Sequence, residues 1–250
     1  MASRAEPIPA PPSLRGAIRA AATDFYFHSW RLLPANVFWA VVVLAIVAVA
    51  ILVPPLLILV PLAALPTAGI FRIAARIVRG ESVSFWDGIG AWRSDLLPSL
   101  ALGTGLLGAT TILGFNVATG LLSDSLPGWA FATLAFWGLV GTWLYAWVAW
   151  PILLDPVRAA EPARERLRLA ALLMLAHPLR VGALGLVLAV LVVVSTVAVV
   201  ALVTVGVSFG ALVSTRYVLP AADRLEVRLA ARAALARDPD GRPAETPARS

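Results

Sequence analysis

Few side chains in this sequence could do chemistry, and their spacing does not favour it. Cysteine is absent and histidine occurs twice, which excludes thiol catalysis, disulfides and cysteine-ligated metals. His28 and His177 each stand at the start of an apolar run, far apart in sequence and without a second ligand at metal-binding spacing. No nucleotide-binding glycine loop, nucleophile elbow or zinc-protease helix motif occurs. The expectation is a non-enzymatic protein with no metal and no cofactor.

The polar residues inside the apolar runs are a second set of candidates. Asn116 carries an amide that is costly facing lipid, so it is expected to contact another helix or line a cavity. Thr110, Thr111 and Thr119 lie on the same stretch, where hydroxyls can also bond their own helix backbone. Trp143, Trp147 and Trp150 recur at i, i+4 and i+7. That face suits stacking on a flat apolar solute, but tryptophan also gathers at membrane–water boundaries. Gly206, Gly210 and Ser214 form a small-residue ridge that lets another helix approach closely, within the monomer or across a dimer.

The elements that must position these residues are membrane helices. Hydrophobic residues make up 60% of the chain, charged residues 14%, and the mean hydropathy is +0.87, too apolar for an ordinary soluble domain. Three charge-poor runs, 32–71, 96–154 and 181–215, each exceed the ~20 residues of one crossing. A straight helix over the first would reach about 60 Å, twice the ~30 Å hydrocarbon core. Each run therefore folds back: at Pro54-Pro55, where proline interrupts a helix; within 123–128, where Ser, Asp, Pro and Gly cluster; and near 204–206. The fold class is all-α, a polytopic bundle of six spans in three hairpins, about 34–53, 55–72, 96–122, 127–153, 181–203 and 205–220.

Charge fixes the expected orientation. All twenty cationic side chains are arginine. Three hairpins place four in the N-terminal segment, four in 72–93, five in 158–180 and seven in 216–249 on one side, which the positive-inside rule makes cytoplasmic. Asp124 alone is left outside. The sixth span is short unless Arg216 snorkels. No ionisable residue lies deep in a span, which disfavours a carboxylate proton relay.

Amphipathic segments at 15–30, 84–93 and 161–176 read as interfacial helices, the second opened by a Ser84/Asp87 cap. The ends, 1–14 and 236–250, are rich in Pro, Ala and charge and are expected to be disordered. The net charge of +6 is spread over short segments flanking the spans, with no nucleic-acid motif. The expected partners are the lipid bilayer, and transporter subunits or anionic lipid at the arginine-rich face; oligomeric state is not legible.

Several stretches together resemble the YesL-like family of bacterial membrane proteins, over about 27–232. They are Asn36, Phe38 and Trp39; Pro66, Thr67 and Ala68; Arg79, Gly80 and Glu81; Phe85 and Trp86; and Ala170 with His177-Pro178. The 54–61 region departs from the family by lengthening the first hairpin. The resemblance implies a bacterial membrane protein acting as an accessory to carbohydrate transport, and it supplies no site residues; with the arginine bias, the expected location is the inner membrane with both termini cytoplasmic. The alternative is a permease for a neutral solute, with Asn116, Thr110 and the Trp143–Trp147 face lining a cavity.

Overall fold

The computed structural model describes residues 13–198 and 205–237. Helix α1 (Leu14–Leu52) starts at Ser13, whose hydroxyl accepts the Gly16 N–H at 3.1 Å. It is one continuous helix through Pro34, so the separate interfacial helix expected over 15–30 is instead the first part of the first span's helix. Proline removes one backbone bond, but Leu32, Ala35 and Asn36 around it are buried and α1 packs along the last helix. Tertiary packing outweighs the local break. At 39 residues the helix is about 58 Å long, so its arginine-bearing end projects from any bilayer it crosses. Tyr26, Phe27 and Trp30 are exposed there, a suitable interfacial belt.

The chain turns where Pro54-Pro55 predicts, through a 3-10 stretch (Pro54–Ala63), into α2 (Ala64–Val78). Helix α2 is the centre of the bundle: Ala68, Ile70, Phe71, Ile73, Ala74 and Ala75 are almost wholly buried, packed by helices on several sides. Gly80 ends it with φ +75°, a backbone open to glycine at little cost. The Gly80 N–H donates to Ile77 O and the Glu81 N–H to Arg76 O, both at 3.0 Å, the paired closure of a Schellman cap.

Helix α3 (Phe85–Ser94) carries the expected capping box: the Ser84 N–H donates to Asp87 Oδ2 at 2.6 Å and the Trp86 N–H to Ser84 Oγ at 3.3 Å. It lies against α2 where Gly69 faces Gly88; a Cβ on Gly69 would stand 3.0 Å from the Gly88 carbonyl. Helices α4 (Leu96–Leu122) and α5 (Leu126–Leu153) form a hairpin at the predicted turn. Asp124 takes φ +45° there, and Ser125 accepts the Gly128 N–H at 3.2 Å. The outer faces of this hairpin expose Ile112, Phe115, Phe131 and Leu134, as lipid contact requires.

Pro156–Arg158 makes one 3-10 turn, followed by α6 (Ala163–Ala176), α7 (Pro178–Val197) and α8 (Val207–Arg237). Among the described residues, five stretches are long and apolar enough to cross a membrane: α1, Ile58–Val78, α4, α5 and α7. The sixth span expected at 205–220 is the opening half of α8, an inner helix. Its Ala211, Leu212, Ser214, Thr215, Val218 and Leu219 are buried; facing protein, it tolerates hydroxyls that lower its hydropathy. Arg216 is ion-paired to α1. Its Nε and Nη2 donate to Asp24 Oδ2 and Oδ1 at 2.5 and 2.8 Å. Helix α8 runs without a break to Arg237. Of the turn expected near 204–206, Val205 and Gly206 are helical and lead into α8, while residue 204 and most of both expected tails lie outside the described residues.

Candidate functional site

Five aromatic rings line a half-open cavity of about 360 Å³ between the helices. Each helix contributes residues at its own period: Thr67 and Phe71 from α2, Trp143, Trp147 and Trp150 from α5, Val192 and Thr196 from α7, with Trp39 from α1 and Gly206 and Val207 at the start of α8. The rings form a chain. Trp143 meets Trp147 edge-on at 5.5 Å, Trp147 lies 5.9 Å from Phe71, and Phe71 stacks on Trp150 at 6.0 Å with planes 16° apart. These spacings fall in the favourable range for aromatic pairs. The Trp39 indole donates to Thr67 Oγ1 at 2.9 Å, and the Trp143 indole to the Gly185 carbonyl at 3.2 Å.

The small-residue ridge packs within the monomer. Gly206 lines the cavity. A Cβ on Gly210 would stand 3.0 Å from Trp147 Cη2, and the Ser214 hydroxyl donates to the Trp147 carbonyl. Glycine at 210 therefore makes room for the ring that forms the cavity wall.

Asn116 and Thr110 do not belong to this site. Thr110 is exposed on α4 and Asn116 is half-buried near the hairpin tip. A second, more open cavity of about 600 Å³ lies between α4, α5 and α6, and Ala101, Gly105 and Ala109 line it. Thr110, one residue further on, is turned by about 100° at 3.6 residues per turn and faces away. The α5 tryptophans share one face, as their spacing has them, and line the cavity, whereas periodicity could not supply the helical phase of α4.

Sequence reasoning also missed the charged end of the bundle. Arg79 donates to Asp155 at 3.0 and 2.5 Å and to Asp223 at 2.9 and 3.0 Å. Arg158, 2% exposed, donates to Glu226 at 2.8 and 2.7 Å, to Asp223 at 2.6 Å, and to Asp155. Burial opposes charge on both arginines, but the carboxylates outweigh it and raise both above the usual range. Burial also opposes ionisation of Asp223, and the hydrogen bonds from Arg79 and Arg158 nonetheless hold it below the usual carboxylate value. Such a cluster stays ionised and clamps helices together.

Beside it, Arg72 and Arg166 flank Asp95 at 3.5 Å each. Arg72 also donates to the Leu154 carbonyl at 3.3 Å and Arg166 to that of Leu153, placing cations at the negative end of α5. Carboxylates of the chain thus engage Arg72, Arg76, Arg79, Arg158, Arg166, Arg168 and Arg216. At these seven positions the arginine-rich face expected to meet lipid or partners is neutralised from within the chain. The available signal was Asp155 and Arg158 three apart, with Asp223 and Glu226 on one face of a helix.

His28 Nδ1 lies 3.1 Å from Arg31 Nη1, and His177 sits at the α6–α7 junction. Among the described residues no group of three or more potential ligands is placed to hold a metal.

Fold and cavity together define an all-α, polytopic membrane protein with a ligand-sized aromatic chamber. No family model, curated protein or solved structure matches the chain.

Proposed function

We propose that this is a non-enzymatic integral membrane protein that binds an uncharged small molecule in the aromatic cavity, as the binding component of a transport system or as a permease for that solute. The cavity carries the reading: its volume of about 360 Å³ lies in the usual range of small-molecule sites, and no described lining residue is charged. Kinship with the YesL-like proteins, on the residues quoted above, belongs to the same proposal. So do a bacterial inner membrane and a cytoplasmic placement of the charged end, which follows the arginine bias.

Titration of the reconstituted protein with neutral solutes tests it, followed by tryptophan emission. A saturable change, reduced by Trp147→Ala, is expected; no response from any neutral solute or lipid overturns the reading. An accessory role beside transporter subunits draws support from Trp86, 71% exposed at the start of α3, with Arg93 exposed at the other end of the same helix. Crosslinking through position 86 tests that role, and recovery of the protein alone would count against it.

A further inference from the structure

We infer that the occupant of the aromatic cavity is the hydrocarbon chain of a bilayer lipid, admitted sideways between α5 and α7. The inference rests on reading the cavity as a binding site and names the class of ligand.

The first ground is the supply of hydrogen-bond donors. A sugar brings several hydroxyls, each needing partners where water is scarce. The cavity has two hydroxyl side chains among its described lining residues, and both protons are committed: Thr67 donates to the Ala63 carbonyl at 2.8 Å and Thr196 to the Val192 carbonyl at 2.7 Å. The indoles of Trp39 and Trp143 are committed too, to Thr67 and to Gly185. Trp147 and Trp150 are the remaining side-chain donors among the described lining residues. Such a wall satisfies methylene groups and leaves a polyol largely unpartnered.

The second ground is continuity with the lipid-facing surface. A groove of about 320 Å³ between α5 and α7 is lined by Leu139, Val140, Trp143, Ala189, Val192 and Val193. It shares Trp143 and Val192 with the cavity. The flank of α7 beside it is open, with Val190, Val193 and Val194 all more than half exposed. A chain lying in the groove therefore meets only apolar and aromatic side chains, with Trp143 and Val192 standing between it and the cavity.

The test uses the full chain in vesicles of phosphatidylcholine with brominated or unbrominated acyl chains. In a variant with every tryptophan but Trp150 replaced by phenylalanine, the emission comes from a cavity-lining ring 6% exposed to the surroundings. Loss of most Trp150 emission in brominated vesicles is expected, and Ala146→Phe, which fills the cavity, should abolish that loss. Equal emission in the two vesicles, or quenching that survives Ala146→Phe, overturns the inference. If the variant does not fold, mass spectrometry of the native chain in detergent replaces it: the native chain should retain one more phospholipid than Ala146→Phe, and equal retention overturns the inference. A neutral sugar that shifts Trp150 emission where brominated lipid does not would also overturn it, while leaving the binding function intact. No response to lipid or sugar removes both.

Discussion

Asn36 of α1 reaches a residue 172 positions later, near the start of α8: its Oδ1 accepts the Ser208 N–H at 2.8 Å. The Ser208 hydroxyl lies 3.0 Å from the same oxygen and 3.2 Å from the Leu32 carbonyl, and its single proton serves one or the other. All of this is fully buried. The first turn of a helix has donors without intrahelical acceptors, and here one is satisfied from across the bundle. Asn36→Ala leaves it unmet at an expected cost of about 1–3 kcal/mol. Thermal unfolding in detergent reads this, and an unchanged midpoint would remove Asn36 from the α1–α8 contact.

Replacing one member of the charged cluster should cost more than breaking an exposed pair. Asp155 has a wholly buried side chain between Arg79 and Arg158; Asp155→Asn leaves two guanidiniums under-compensated, at about 3–5 kcal/mol. The Glu165–Arg168 pair is more than half exposed, and Arg168→Ala should cost below about 1 kcal/mol. Comparable losses in denaturant unfolding would contradict the burial argument.

Stability should fall in two stages on acidification. His177 sits below its ordinary 6.5 through burial and then the charges of Arg180 and Arg228. The folded state therefore prefers it neutral, and its contribution, complete above about pH 6.5, is lost as pH drops through the lower folded value. Asp223 lies below its usual 3.8, so its contribution is complete above about pH 4 and is lost at lower pH. Unfolding midpoints measured against pH should show both stages. His177→Gln should remove the upper one alone, and an unaltered profile would exclude His177 as its source.

The fold was legible wherever a signal was local. Pro54-Pro55, the Ser123–Ser125 turn and the Ser84/Asp87 cap act on their immediate neighbours, and each turn or cap forms where the sequence puts it. The separate helix expected over 15–30 did not form because α1 packs along α8 as one helix through Pro34. The ion cluster was hidden for a similar reason: Arg79 and Asp223 are 144 residues apart, and counting arginines by membrane side ignores the carboxylates that meet them. The Trp143–Trp147 face was visible as a stripe, whereas its partners Trp39 and Phe71 come from other helices with no shared period.

Gly210 offers a test of the cavity wall. With Trp147 Cη2 3.0 Å from the site of a Cβ, Gly210→Val should push the indole into the cavity, cost about 1–3 kcal/mol by overpacking and weaken ligand binding. A folded variant that binds normally would place the ligand elsewhere.

The charged cluster also imposes an order on biogenesis. Arg79 and Arg158 leave the ribosome long before Asp223 and Glu226, which complete their hydrogen bonds. Until α8 is synthesised, both guanidiniums must be shielded by water, lipid phosphate or an insertion factor. A nascent chain stalled before residue 223 would display unmet cationic charge at its membrane surface, a mark by which a quality-control protease could tell an unfinished bundle from a closed one.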